Sequence, residues 1–458
     1  MTMMTTDTTA ARLPGRRDFI ELLRLASPIV SVQLGLMAMG LVDTLMVGRY
    51  SAVALGGVAL GNLYAFGWSI FGMGTLLALD PLVSQAVGAG DYAAVRRAVQ
   101  RGLVLAVFLT VPTTAAYLLV APVLALVQQP DELIPIAAGY VYRTAPALLP
   151  FYVFVVLRQT LQAHRRTASI VTTIVAANVV NALLNYAWIY GNAGFAELGA
   201  LGSAWATLVS RWAMTLLLIA LAWRDIAPYV RKLADRVFAP RPLWRMIRIG
   251  APIGGQMLLE WGAFATIALL MGWLGTAWVA AHQIALVLAS ASYMVPLGVS
   301  VAAGVIVGQA VGRGDMAAMQ RAALASLGLG TGFMALTAIV FIAVPDRLTA
   351  PFTPDAQVLL FAAGLLPIAG VFQVFDGVQA VALGVLRGLG DTRVPVFVSV
   401  IGYWCLGLPA GLWLAFRTDT GAPGLWWGFV VGLGIVAVIL SLRLHAFSRR
   451  HHERLAMD

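Results

Sequence analysis

Of the twenty acidic residues in this chain, only Asp43, Asp80, Glu260 and Asp376 fall in or at the edge of its long apolar runs. A carboxylate in hydrocarbon is costly, so such residues face a protein interior or a water path and mark ion movement by default. Depth follows from a helical rise of 1.5 Å per residue, counted from flanking arginines. Glu260 lies twelve residues past Arg248 and Asp376 eleven before Arg387, so both sit about 17 Å from one membrane face, near the midplane. Two carboxylates at one depth can share a proton, or Na⁺, a hard cation that oxygen ligands satisfy.

A second constellation lies farther out. Asp43 is roughly 28 Å beyond Arg24, while Asn181 and Asn185 are about 22 and 28 Å beyond Arg166, and Thr207 opens a later run. Asn181 and Asn185, at i and i+4, share a helix face, so these four oxygen-bearing side chains are expected to converge. Asp80, before Pro81 at the inner end of its run, can reach water and is assigned to neither site. His282 reads as an interfacial hydrogen-bonding group rather than a ligand, and Arg211 as a residue that snorkels or pairs with an acid.

Elements of one kind can position these groups. Hydrophobic residues make up 60% of the chain and charged residues 11%, against about 25% charged in soluble domains. Runs of about 20 mostly apolar residues predict twelve membrane-spanning helices. Their spans are 22–48, 54–79, 93–120, 133–157, 168–191, 200–223, 247–273, 278–306, 318–344, 357–386, 393–416 and 424–445. The chain also repeats itself. SQAVGAGDYAAVRRA at 84–98 returns as GQAVGRGDMAAMQRA at 308–322, with ten of fifteen positions identical at an offset of 224. The same offset pairs Arg24 with Arg248, Pro28 with Pro252 and Ile29 with Ile253. The expected fold is an all-α integral membrane protein with two pseudo-symmetric six-helix bundles. Six helices per copy make the repeat parallel. The lobes are expected at 1–225 and 247–458, joined by a cytoplasmic linker at 226–246.

Charge follows the same topology. The net charge is +10, and about 25 of the 30 Lys and Arg lie at the termini or in the even-to-odd loops, which predicts that both termini are cytoplasmic. This positive-inside bias accounts for the charge without nucleic acid. Residues 1–21 run straight into a full-length span and predict no cleavable signal. Arginine outnumbers lysine 29 to 1, a bias that points to a bacterial genome and so to the inner membrane. Cys405 is the single cysteine and excludes an intramolecular disulfide. The sole lysine, Lys232, follows no glycine loop, and the five histidines form no HExxH pair, so neither direct ATP drive nor an enzyme is supported. An ion gradient remains as the source of work.

Several local patterns then resemble the multidrug and toxic compound extrusion (MATE) family, in its NorM-like branch. Val42-Asp43-Thr44 with Met46 and Gly48, preceded by Pro28, resembles its first helix. Asn181-x3-Asn185-Tyr186 resembles its fifth helix and Ala206-Thr207 its sixth. Ala251-Pro252-Ile253 with Glu260 resembles the seventh, and Ala280-Ala281-His282-Gln283-Ile284 the eighth. The most specific pattern is Phe375-Asp376-Gly377-x-Gln379 leading to Leu386-Arg387-Gly388-x-Gly390-Asp391-Thr392.

The resemblance implies a V-shaped pair of bundles around a central cleft, exporting cationic drugs in exchange for Na⁺ or H⁺. Carried over, Asp43, Asn181, Asn185 and Thr207 form the N-lobe cation site, and Glu260 with Asp376 the C-lobe site. Asn185 stands where the family can carry a second acid, which leaves the coupling lobe and the ion open. No cofactor beyond that ion is expected, and the working unit is a monomer in contact with membrane lipid. The alternative is a flippase for lipid-linked oligosaccharides. Such a carrier must hold a pyrophosphate with several cavity arginines or lysines, whereas away from the arginine-rich face only Arg143 and Arg211 lie inside spans.

Overall fold

A computed structural model of the chain describes residues 13–448 and 454–455. The polar segment 1–12 and most of the residues beyond 448 lie outside the described residues, and with them part of both termini that the sequence places in the cytoplasm. Twelve helices long and apolar enough to cross a membrane are present among the described residues. In chain order, helices 1 to 6 are Arg16–Tyr50, Ala52–Gly88, Tyr92–Leu118, Ile134–Ala163, Ala168–Tyr190 and Ala200–Leu221. Helices 7 to 12 are Pro240–Leu274, Thr276–Arg313, Met316–Ala343, Ala356–Leu389, Arg393–Arg417 and Ala422–Phe447. Every boundary in the second half falls within three residues of its first-half counterpart moved by the sequence offset.

Each predicted span corresponds to one helix, but several run on at the arginine-rich face. Helix 1 begins at Arg16 rather than 22, helix 7 at Pro240 rather than 247, and helix 8 ends at Arg313 rather than 306. Hydropathy stops a prediction near the first charges, whereas an exposed helix continues into water with its arginines on the outer face. The connection between halves is accordingly short: a helix at Trp223–Val230 follows helix 6, and only 231–239 separate it from helix 7.

The two halves interlock through helices 1 and 7. Leu22, Leu25, Ala26 and Ile29 of helix 1 pack into a core of the second half with Val299, Ala303 and Ala322. Beyond Pro28, Val32 joins Phe154 and Ile174 of its own half. Helix 7 mirrors this: Met246 belongs to the first-half core, while Ala263, Ile267 and Leu270 lie in that of the second half. Pro28 and Pro252 stand at the change of partner, where each lacks the amide that would bond the carbonyl of Arg24 or Arg248. At Gly250 an added Cβ would strike the backbone of Thr75, so helices 2 and 7 meet backbone to backbone, as small residues allow in membranes.

Polar contacts between the halves gather at the arginine-rich end. Asp18 pairs with Arg321 at 3.5 Å, and Asp80 with Arg387 at 3.9 Å. Gln85 donates to the Gly388 carbonyl at 2.9 Å, and Gln309 to that of Ala163 at 2.7 Å.

Candidate cation sites

The first constellation converges as its spacing predicts. Helix 5 presents Asn181 and Asn185 from one face, both fully buried. Asn185 donates to Asp43 Oδ1 at 2.5 Å and to Asn181 Oδ1 at 3.2 Å, and Thr207 of helix 6 donates to Asp43 Oδ2 at 3.2 Å. Two polar atoms are left over: Asn181 Nδ2 and Asn185 Oδ1 are buried without a hydrogen-bond partner among the described residues. An unpaired buried oxygen beside a carboxylate is a costly arrangement that an added cation or water relieves. Arg211, one turn beyond Thr207, stacks over Phe151 with its guanidinium 4.8 Å from the ring centroid. Among the described residues it forms no salt bridge, but its charge lies close enough to act on Asp43.

The second constellation is built around Glu260. Gln256, one turn earlier on helix 7, donates to Glu260 Oε2 at 3.2 Å. On the other oxygen, Gln379 of helix 10 donates at 3.5 Å and the Tyr403 hydroxyl of helix 11 at 3.4 Å. Gln379 and Tyr403 are also bonded to each other at 2.8 Å. Asp376 lies one turn from Gln379 on helix 10, only 6% exposed, and among the described residues no side-chain or backbone donor reaches its carboxylate. The two acids are close enough to feel each other's charge, and Tyr293 of helix 8 borders them both.

Three hydrogen-bonding neighbours of Glu260 are not among the site residues that the sequence singles out. Gln256 is four residues before Glu260 and Gln379 three after Asp376, spacings that place each on the same helix face as its acid. That signal was available. Tyr403 carried none. It sits in a π-helical stretch, Val400–Gly407, just before Pro409, which cannot donate to the carbonyl of Cys405. Such widened turns re-aim side chains and recur at functional sites. Here the Tyr403 hydroxyl turns onto Glu260.

Two other expectations change. Asp80 does not simply reach water: its side chain is 11% exposed and faces Arg387, 14% exposed, across the seam between the halves. Helix 2 breaks at Leu77-Ala78, and the short helix Leu79–Gly88 carries Asp80 into that seam. His282 is not an interfacial hydrogen-bonding group. It is 1% exposed, edge-on to Trp426 at 5.5 Å, and neither ring nitrogen has a hydrogen-bond partner among the described residues.

Comparison with known proteins agrees with this architecture. The MatE family profile matches twice, at residues 28–187 and 252–413, with starts separated by the offset of the internal repeat. A probable multidrug resistance protein NorM of Rhizobium meliloti (strain 1021) is 37% identical over 437 residues, covering 93% of each chain. A multidrug resistance protein NorM of Burkholderia vietnamiensis is 36% identical over 448 residues, 95% of this chain and 96% of the relative. The fold is shared with the crystal structure of the eukaryotic MATE transporter AtDTX14, at a TM-score of 0.86 and 22% identity over 94% of this chain and 98% of that one. With two family matches laid over two six-helix halves, the chain belongs to the MatE family, the multidrug and toxic compound extrusion transporters whose NorM-like branch its motifs resemble.

Proposed function

We propose that this chain is a secondary active multidrug efflux transporter that exports cationic amphiphilic compounds in exchange for Na⁺ or H⁺. The observation that carries the reading is the Glu260–Asp376 pair. Among the described residues, Asp376 is buried without a donor, and Glu260 is held by neutral amides and a hydroxyl rather than by an ion pair. A buried carboxylate is tolerated when a cation or proton joins it, so the pair is suited to load and unload one. Asp43 with Asn181, Asn185 and Thr207 offers a second cation site in the other lobe. No cofactor beyond the coupling ion is called for.

Transport then follows from competition. An ion taken from outside at these acids lowers affinity for a cationic compound and favours the inward state, while a compound bound from inside favours release of the ion. The arginine-rich face is taken as cytoplasmic and the membrane as the bacterial inner membrane, by the positive-inside bias. The polar contacts between lobes at that face suit a carrier closed toward the cytoplasm, with 1–225 and 247–458 as lobes that rock as units within one chain.

Efflux of ethidium from energised vesicles, with Na⁺ and pH gradients imposed separately, tests the reading. One gradient is expected to accelerate efflux, and E260Q and D376N to abolish that acceleration with protein still in the membrane. D43N asks the same of the N-lobe. Full gradient-driven efflux in both E260Q and D376N removes the C-lobe site from coupling. Gradient-independent behaviour of folded wild-type protein makes lipid-linked oligosaccharide flipping the next assay.

A further inference from the structure

Two cavities open at the arginine-rich face, and they are repeats of each other. One, of about 540 Å³, is lined by Arg241, Trp244, Arg245 and Arg248 of helix 7 with Asp391 and Arg393 of the turn into helix 11. The other, of about 630 Å³, is lined by Arg17, Glu21 and Arg24 of helix 1 with Arg165 and Thr167 of the turn into helix 5. Moved by the offset, Arg17, Glu21, Arg24 and Thr167 fall on Arg241, Arg245, Arg248 and Asp391.

The copies differ in charge balance. In the helix 1 cavity, Glu21 supplies an internal counterion and binds Arg165 at 2.6 Å. In the helix 7 cavity that position is Arg245, so Arg241, Arg245 and Arg248 follow one another at i, i+4 and i+7 along a single face. Among the described residues its one lining acid, Asp391, is already engaged by Arg443 of helix 12 at 2.6 Å. Among the described residues, Arg241, Arg248 and Arg393 form no ion pair. The cavity therefore gathers positive charge at Arg241, Arg248 and Arg393 that no ion pair among the described residues offsets.

We propose that the helix 7 cavity is a binding site for the phosphate group of an acidic phospholipid. Its ligand is distinct from the transported compound and from the coupling ion. Arginine forks match phosphate oxygens, and basic pockets between membrane helices take such headgroups. The position favours lipid over a free anion: Trp244, 66% exposed at the rim, is an amphipathic ring of the kind that settles at headgroup level. From there helix 7 passes directly into the apolar layer, where acyl chains lie.

Native mass spectrometry of the full chain, titrated separately with phosphatidylglycerol, phosphatidylcholine and inorganic phosphate, tests the assignment. Phosphatidylglycerol is expected to bind about tenfold more tightly than phosphatidylcholine, from two or more arginines at the surface. Neutralising R248A and reversing R245E should each weaken it roughly fivefold or more, while R245K and the helix 1 variant R24A retain it. Equal affinity for the two lipids, or unchanged phosphatidylglycerol binding in an R245E/R248A chain that runs as a monodisperse species, overturns the site. Inorganic phosphate binding as tightly as phosphatidylglycerol, and lost in the same variants, overturns the lipid assignment in favour of a free anion.

Discussion

Gln85 and Gln309, one repeat apart, each reach across to the other half of the molecule. Gln85 donates to the Gly388 carbonyl and Gln309 to the Ala163 carbonyl, acceptors that are themselves one residue from repeat equivalence. Their side-chain oxygens are met in turn by the Leu455 amide at 2.9 Å and by the Arg165 guanidinium at 2.8 Å. The backbones complete the clasp. A Cβ on Gly88 would collide with Gln309, and one on Gly312, its counterpart, with Gln85. The duplicated QAVGxGD stretch is thus where the two copies touch each other about their pseudo-twofold axis.

Opening toward the arginine-rich face must break this clasp. Each buried hydrogen bond removed costs about 1 kcal/mol, so Q85A/Q309A should shift the chain away from the clasped state. Spin labels at Tyr92 and Met316 in a C405S background read the separation of the lobes. A longer distance population in the double variant is expected; an unchanged distribution would show that the clasp does not hold the lobes.

Tyr403 is the one ligand to Glu260 that comes from helix 11. Y403F removes a donor worth about 1 kcal/mol, or roughly fivefold in affinity, and leaves the acids in place. With Na⁺ as coupling ion, the half-maximal concentration for efflux should rise about fivefold at nearly full maximal rate; with protons, the half-maximal pH should move. Identical ion dependence in Y403F and wild type removes Tyr403 from the site.

Arg387 faces Asp80 across the seam, and Arg158 lies close enough to share that charge. Removing one partner from a buried pair strands the other, at a cost of about 3–5 kcal/mol in buried cases. R387A should therefore lower the thermal midpoint and the yield of folded protein. D80N/R387Q, which removes both charges, is expected to recover part of that loss. A double variant no better than R387A would place the defect in lost packing instead.

His164 caps helix 4 and holds Thr160 O at 2.8 Å through Nδ1 and the Tyr229 hydroxyl at 2.7 Å through Nε2. Burial pushes its pKa below the usual value near 6.5, outweighing the Thr160 carbonyl and Asp225, which act the other way. The unfolded chain therefore binds the proton first. The stability that neutral His164 contributes is full above 6.5 and is lost as pH falls through the lowered folded value. The thermal midpoint should drop from about pH 7.5 to about pH 5.5 more steeply in wild type than in H164Q. Parallel profiles would assign the pH dependence to other groups.

The sequence by itself determined the number of helices, the two-copy plan and the linear depth of each acid. These are local quantities: hydropathy over a span, rise per residue, and identity at a fixed offset. They were enough to group Asp43 with Asn181, Asn185 and Thr207, because residues at like depth on adjacent helices can meet. Tertiary structure decided the rest. Which face of helix 11 meets Glu260 depends on a π-helical widening before Pro409, and no period in the sequence marks it. That Asp80 finds Arg387, and that helices 1 and 7 change partners at Pro28 and Pro252, depends on how two bundles interlock. The charge of the helix 7 cavity likewise became visible only when residues 241–248 and 391–393, far apart in the chain, were brought to one wall. Local chemistry fixes what each helix is, whereas rotation and crossing between helices, set by close packing of small residues, fix what each side chain touches.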